Sequence, residues 1–185
     1  MPGLRTLILV SFVAVLGFAQ NSSVVKDPDG KYEVTLPKSR TADQEKDPNA
    51  VDWHGVESVD GLGRKQIEIV YKVREECLLK IRKMDIEKGA DLLDFIKRDE
   101  SQTLAFLSGY SKNTTEDFSV GGGKIPARVL SYEYLQSGRP KMGRNYYIRV
   151  SDTSVYLLKF TGNRNTVGVL RSQTDTIARS LKVNP

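Results

Sequence analysis

Between Ala127 and Thr161, three runs of strand-forming residues follow one another with little between them: Ala127 to Gln136, Arg144 to Ser151, and Ser154 to Thr161. Val, Ile, Tyr and Leu dominate each run. Asp152-Thr153 has the composition of a tight turn, and Ser137 to Gly143 reads as a loop. Strands joined by short connections run antiparallel, so this stretch commits the chain to a three-strand antiparallel meander.

A second β signal lies earlier. From Lys65 to Arg74, Ile67, Ile69, Tyr71 and Val73 alternate with polar residues, and Leu79 and Ile81 then alternate with Lys80 and Arg82. Paired residues share a face of the sheet. A hairpin therefore sets Val73 opposite Leu79 and Tyr71 opposite Ile81, with Glu75, Glu76 and Cys77 as its loop. Asp27 to Gly30 is a turn, and Lys31 to Pro37 alternates as an N-terminal strand with Tyr32, Val34 and Leu36 on one side. Lys38 to Ala50 is a polar loop, and Val51 to Val59 is a short strand around Trp53.

The period then changes. Leu92, Phe95, Ile96, Thr103, Phe106, Leu107 and Tyr110 share one helical face, which predicts a helix from Ala90 to about Tyr110 that ends near Gly109. After a flexible turn at Gly121-Gly122-Gly123 and the meander, a second helix is predicted over Thr166 to Ser180. Val167, Leu170, Ile177 and Leu181 form its apolar side. The sum is an α+β fold. One antiparallel sheet, made of the N-terminal strand, the hairpin and the C-terminal meander, is flanked by two main helices as an α/β/α sandwich.

The chain opens with Arg5, an apolar run from Leu7 to Leu16, and Gly17-Phe18-Ala19 before Gln20. A positive start, a short apolar stretch and small residues at the cut describe a cleaved secretory signal over residues 1–19. Gln20, where a lipoprotein has its cysteine, speaks against a lipid anchor. The remaining 166 residues divide into a flexible lead over 20–28 and one domain over 29–183, large enough to bury a core without metal or disulfides. No second long apolar segment follows, so no transmembrane segment is expected in the mature chain. The expected compartment is the periplasm or the exterior.

The net charge of +5 falls to +4 without Arg5. It comes from 28 basic residues interleaved with 23 acidic ones, a poor pattern for nucleic acid but compatible with an anionic surface. Cys77 is the only cysteine and His54 the only histidine. No spacing brings the two together as a nucleophile and base, and one of each falls short of a metal set. Gly121-Gly122-Gly123-Lys124 and the glycines at 61 and 63 lead into strands, not helices, and so are turns and not phosphate loops. No catalytic, cofactor or metal site is expected. Candidate partner-binding residues are Lys72, Arg74, Lys80 and Arg82 on the hairpin, where Lys72 would oppose Lys80, and Tyr147 and Arg149 on the meander. Like charges directly opposed destabilise a sheet, which an anionic partner would relieve.

The order of these segments carries a resemblance. A Gly-aromatic strand ends in Leu-Pro (Gly30-Lys31-Tyr32-Glu33-Val34-Thr35-Leu36-Pro37), followed by a Trp-bearing segment, a hairpin and a helix. Tyr132-Glu133-Tyr134, the meander, Phe160-Thr161-Gly162 and a closing Ile177-Ala178-Arg179-Ser180-Leu181-Lys182-Val183 complete it. This pattern resembles the Mog1/PsbP-like fold family, including exported bacterial relatives of the DcrB type. The resemblance implies a sheet flanked by helices that serves as a binding or assembly module, not an enzyme. The expected function is an exported accessory protein of the cell envelope that holds an envelope protein or assembly. The alternative is a small-ligand carrier with a pocket between the sheet and the helix at residues 90–110.

Overall fold

The computed structural model describes residues 23–37 and 52–184. Along the chain these form β1 (Ser23–Lys26), β2 (Tyr32–Leu36), β3 (Trp53–Val59), β4 (Lys65–Tyr71), β5 (Cys77–Asp85), α1 (Leu92–Asp99), β6 (Ser111–Val120), β7 (Ile125–Gln136), β8 (Arg139–Ser151), β9 (Ser154–Asn163), α2 (Arg164–Val169), α3 (Arg171–Arg179) and β10 (Lys182–Val183). The leader and the loop over 38–50 lie outside the described residues.

Seven strands form an antiparallel sheet in the order β3-β4-β5-β9-β8-β7-β6. The expected meander is β7 to β9, and its first connection is tighter than predicted. Gln136 pairs with Arg139, which leaves only Ser137 and Gly138 at the turn. Both have positive φ, 52° and 72°, as a type I′ hairpin turn requires.

The N-terminal strand is β2, with Tyr32, Val34 and Leu36 buried as expected. Its partners are β1 and β10, in a separate three-stranded sheet. Residues 23–26, expected within a flexible lead, are the strand β1. The Ser180 hydroxyl joins β2 to the end of α3, accepting from the Thr35 amide at 2.8 Å. Tyr32 meets Tyr156 of the large sheet edge-on at 5.9 Å. The strand thus buries its apolar side over the large sheet instead of extending it.

The β4–β5 hairpin pairs Tyr71 with Cys77, four residues from the predicted partner Ile81. The loop is 72–76, and Val73 lies in it, exposed. An even shift keeps every side chain on its predicted face. Burial selects this register: Cys77 and Leu79 are fully buried beside Trp53 and Phe160, which the other pairing would not allow for Cys77 in a loop.

α1 begins where Asp91 accepts from the Leu93 and Asp94 amides at 2.8 and 3.2 Å, a side-chain N-cap. It runs on into a π-helical turn, Glu100–Leu104, where the Ala105 amide donates to the Glu100 carbonyl at 2.9 Å. The wider turn rotates the apolar face. Leu104 is buried, while Thr103 and Phe106, predicted on that face, are exposed, Phe106 by 81%. The C-terminal helix is two helices broken at Leu170 (φ −78°, ψ 5°). Its predicted apolar residues Val167, Leu170, Ile177 and Leu181 are all buried.

Two apolar clusters occupy opposite faces of the large sheet. One joins Trp53, Leu79, Tyr146 and Phe160 to β2, α2 and α3. The other joins Leu130, Tyr132, Tyr147 and Leu157 to Leu92, Ile96 and Leu104 of the α1 segment.

Candidate functional site

α1 covers only part of its face of the sheet. Strand alternation and register decide what the rest presents. β5 places Lys80 directly opposite Lys159 of β9, and Arg82 opposite Leu157. Lys159 in turn lies beside Asn145 of β8. Two ammonium groups are thus held side by side with Arg82 on the same face. Burial, followed by the positive charge of Arg82 and Lys80, keeps the Lys159 ammonium below the usual lysine range. The raising effect of Asp99 does not offset these.

Carboxylates stand beneath part of this cluster. Glu68 of β4 is only 3% exposed and is shared by two cations, Lys80 at 2.8 Å and Arg74. Arg82 reaches Asp99 at 3.5 Å. Asp99, at the end of α1, is itself buried and accepts from the Tyr147 hydroxyl at 2.7 Å. That hydroxyl accepts from the Asn145 amide at 3.2 Å. Among the described residues, no carboxylate lies within ion-pair distance of Lys159 or Arg139.

Toward the β7–β8 turn, the same face opens into a cavity of about 530 Å³. Arg74, Arg139 and Lys141 line it together with Leu78, Tyr134 and Thr161. Lys141 pairs with Tyr134 across β7 and β8, and Leu78 with Thr161 across β5 and β9. Lys141 also donates to the Glu75 carbonyl at 3.2 Å. The space between the sheet and α1 is filled by Leu92, Ile96, Leu104, Tyr147 and Leu157. The cavity therefore stands beside that interface and not within it.

Of the six predicted contact residues, the structure brings together Arg74, Lys80 and Arg82. Lys72 is not with them. It sits in the 72–76 loop at φ 54°, over the Tyr71 ring and 4.0 Å from Asp52. It does not oppose Lys80; Lys159 does. Tyr147 is fully buried under α1. Arg149 clamps loops, donating to the Ala90 carbonyl at 2.6 Å and the Asp152 carbonyl at 3.0 Å. Sequence reasoning missed Lys159, Arg139 and Lys141. Lys159 was visible as a lone cation between Leu157 and Thr161, but only the β5–β9 pairing shows what it faces.

The remaining polar candidates are structural. Tyr71 pairs with both Trp53 and Cys77, so His54, the next residue along β3, points to the opposite face from Cys77. Burial pushes the Cys77 thiol up to about 12, which leaves it a thiol and not a nucleophile at neutral pH. Arg144 is buried and bonded to Tyr146, Ser131 and, at 2.9 Å, Asp175 of α3. It ties the meander to the C-terminal helix. Among the described residues, no group of three or more His, Cys, Asp or Glu is placed to hold a metal ion, and no helix is long and apolar enough to cross a membrane.

No protein-family model matches the chain, and no curated protein matches it. Solved structures do. LpqN of Mycobacterium tuberculosis, involved in cell envelope biogenesis, is 14% identical with a TM-score of 0.58, over 89% of this chain and 91% of its own. The Ran-binding protein Mog1p of Saccharomyces cerevisiae is 9% identical with a TM-score of 0.57, over 89% and 96%. CyanoP, the cyanobacterial PsbP of Synechocystis, is 16% identical with a TM-score of 0.56, over 95% and 99%. At such identities the likeness is one of architecture, and it spans nearly the whole of each molecule: the chain has the Mog1/PsbP-like fold.

Proposed function

We propose that this chain is an exported, non-enzymatic accessory protein that holds an acidic segment of an envelope protein against the cationic face of its sheet. The observation that carries the reading is the direct opposition of Lys80 and Lys159 beside Arg82. Register holds these charges together at a cost to the free protein. An acidic partner removes that cost and is steered to the face by its field. The secretory leader supports the compartment. Two fold relatives support the class of activity, since one is a Ran-binding protein and another takes part in envelope biogenesis. Fold alone does not name the partner.

The test is cross-linking of the tagged protein in its native cells, followed by mass spectrometry of the captured species. One dominant envelope protein is expected, captured less efficiently at high salt. Lys80→Glu combined with Arg82→Glu is expected to abolish capture, with circular dichroism to check the fold, and Lys80→Gln combined with Arg82→Gln, which sets no new charge beside Glu68 and Asp99, is expected to weaken it. Capture undiminished by this charge reversal removes the face from consideration.

A further inference from the structure

The cavity at the β7–β8 end of this face has a chemistry of its own. Its volume of about 530 Å³ falls within the ~300–1,000 Å³ usual for small-molecule sites. Its cations come from two separate segments, Arg74 from the β4–β5 loop and Arg139 and Lys141 from β8. Arg139 is placed by the two-residue turn at Ser137-Gly138, and Lys141 is oriented by the Glu75 carbonyl. The lining also holds one carboxylate, Glu75, which can accept from a hydroxyl, and the rest of it is neutral. Tyr134 stands at the end of a row of rings, 5.9 Å from Tyr132, which is 5.8 Å from Tyr110. Tyr134 is half-buried and shares the lining with Thr161. Leu78 adds an apolar surface, and Gln136 and Ser137 add an amide and a hydroxyl.

Each part of this lining excludes a class of ligand. An apolar molecule would leave Arg139 and Lys141 without an anionic partner among the described residues, Arg74 alone being paired, with Glu68. A bare inorganic anion would make no use of Tyr134 and Leu78. A peptide adding a strand needs an open sheet edge, and β5, β9 and β8 are all interior strands. A sugar ring carrying an acidic group uses all of it. Its C–H face lies against an aromatic ring, its hydroxyls find neutral hydrogen-bonding groups, and its phosphate or carboxylate finds guanidinium forks, which match such groups bidentately.

We propose that this cavity is a binding site for an acidic saccharide, with the sugar ring against Tyr134 and its phosphate or carboxylate held by Arg74, Arg139 and Lys141. Arg74 borders the docking face, since it shares Glu68 with Lys80, but Tyr134, Arg139 and Lys141 take no part in the Lys80–Lys159–Arg82 cluster, and they distinguish the two sites.

The experiment is titration of the mature chain, followed by amide NMR shifts and calorimetry, with glucose 6-phosphate, galacturonic acid, glucose and inorganic phosphate as separate probes. Glucose 6-phosphate and galacturonic acid are expected to bind saturably, with shifts centred on Tyr134, Arg139 and Thr161. Glucose is expected not to bind, and phosphate to bind at least about tenfold more weakly than its sugar ester. Arg139→Glu and Lys141→Glu should each weaken both acids by about tenfold or more, the loss for one charge-assisted bond. Tyr134→Ala should weaken glucose 6-phosphate and leave phosphate unchanged, and Arg82→Gln, which lies outside the lining and pairs with Asp99 and not Glu68, should leave both acids unchanged. Phosphate binding as tightly as glucose 6-phosphate overturns the sugar contact. Absence of saturable binding by either acid overturns the site. Loss of binding on Arg82→Gln but not on Arg139→Glu moves the ligand to the Lys80–Lys159–Arg82 cluster and overturns it as well.

Discussion

Tyr147 lies buried under α1, where its hydroxyl donates to Asp99 at 2.7 Å. Tyr147→Phe removes that hydroxyl, and with it the weaker bond from the Asn145 amide at 3.2 Å, while the ring packing against Phe95, 6.4 Å between centroids, is kept. Asp99 is 6% exposed and is left with Arg82 at 3.5 Å, too far for a good hydrogen bond. Losing a bond to a charged group costs about 1.5–3 kcal/mol. For a domain of this size that corresponds to a fall in Tm of roughly 3–12 °C, at about 2–4 °C per kcal/mol. Urea unfolding should show the same loss as a lower midpoint with an unchanged slope. In an Asp99→Asn background, the cost of Tyr147→Phe should drop by at least half, since the charge that made the bond strong is gone. Amide exchange should accelerate first at residues 100–105, the π-helical turn that follows Asp99. Partner capture and sugar binding should be unaffected in the folded protein. A cost below about 0.5 kcal/mol would show that the hydroxyl does not anchor Asp99, and would refute the structural role argued for Tyr147.

Two further predictions rest on single positions. Lys159 has its ammonium held below the usual range by burial and by Arg82, so the unfolded chain takes up that proton more readily, and the stability penalty is relieved as pH rises toward 10.5. Lys159→Met should therefore stabilise the protein by up to about 1 kcal/mol near pH 7, with the gain shrinking as pH rises toward 10.5; a gain that is flat with pH in thermal melts would contradict this. Gly162 faces Cys77 across β9 and β5, and a Cβ there would fall on the Glu76 carbonyl oxygen and the Cys77 backbone, whereas one at Gly168 in α2 meets open space. Gly162→Ala should cost about 3 kcal/mol and Gly168→Ala should gain about 0.5–1 kcal/mol, and equal effects at the two sites in chemical denaturation would refute the steric argument.

Local signals carried over into the structure wherever burial and period agreed. Tyr32, Val34 and Leu36 alternate and are buried. Val167, Leu170, Ile177 and Leu181 share a side and are buried. Illegibility had three physical sources. The β4–β5 register slid by four residues because alternation fixes the face but not the partner. The face of α1 turned at Glu100–Leu104 because a π-helical turn leaves no mark in a 3.6-residue period. β6 passed unread because it is an edge strand of Ser, Lys, Asn, Thr, Glu and Asp with only Val120 fully buried. It also carries a bulge at Asn113 that breaks its alternation.

The site was legible in its principle and not in its pairing. Opposed like charges on a sheet were expected at Lys72 and Lys80. They occur at Lys80 and Lys159, two residues brought together only because β5 and β9 join the two halves of the sheet. Lys72 was lost to a loop by the same slide in register that moved Glu68 to where Lys80 and Arg74 share it. The slide thus gave the hairpin its own buried carboxylate and left the uncompensated charge on the strand behind it, at Lys159. Ladders on both sides, to β5 and to β8, fix the backbone of Lys159, so register sets this opposition. An anionic partner at this face would relieve the opposition, as would removal of one of the two charges by Lys159→Met.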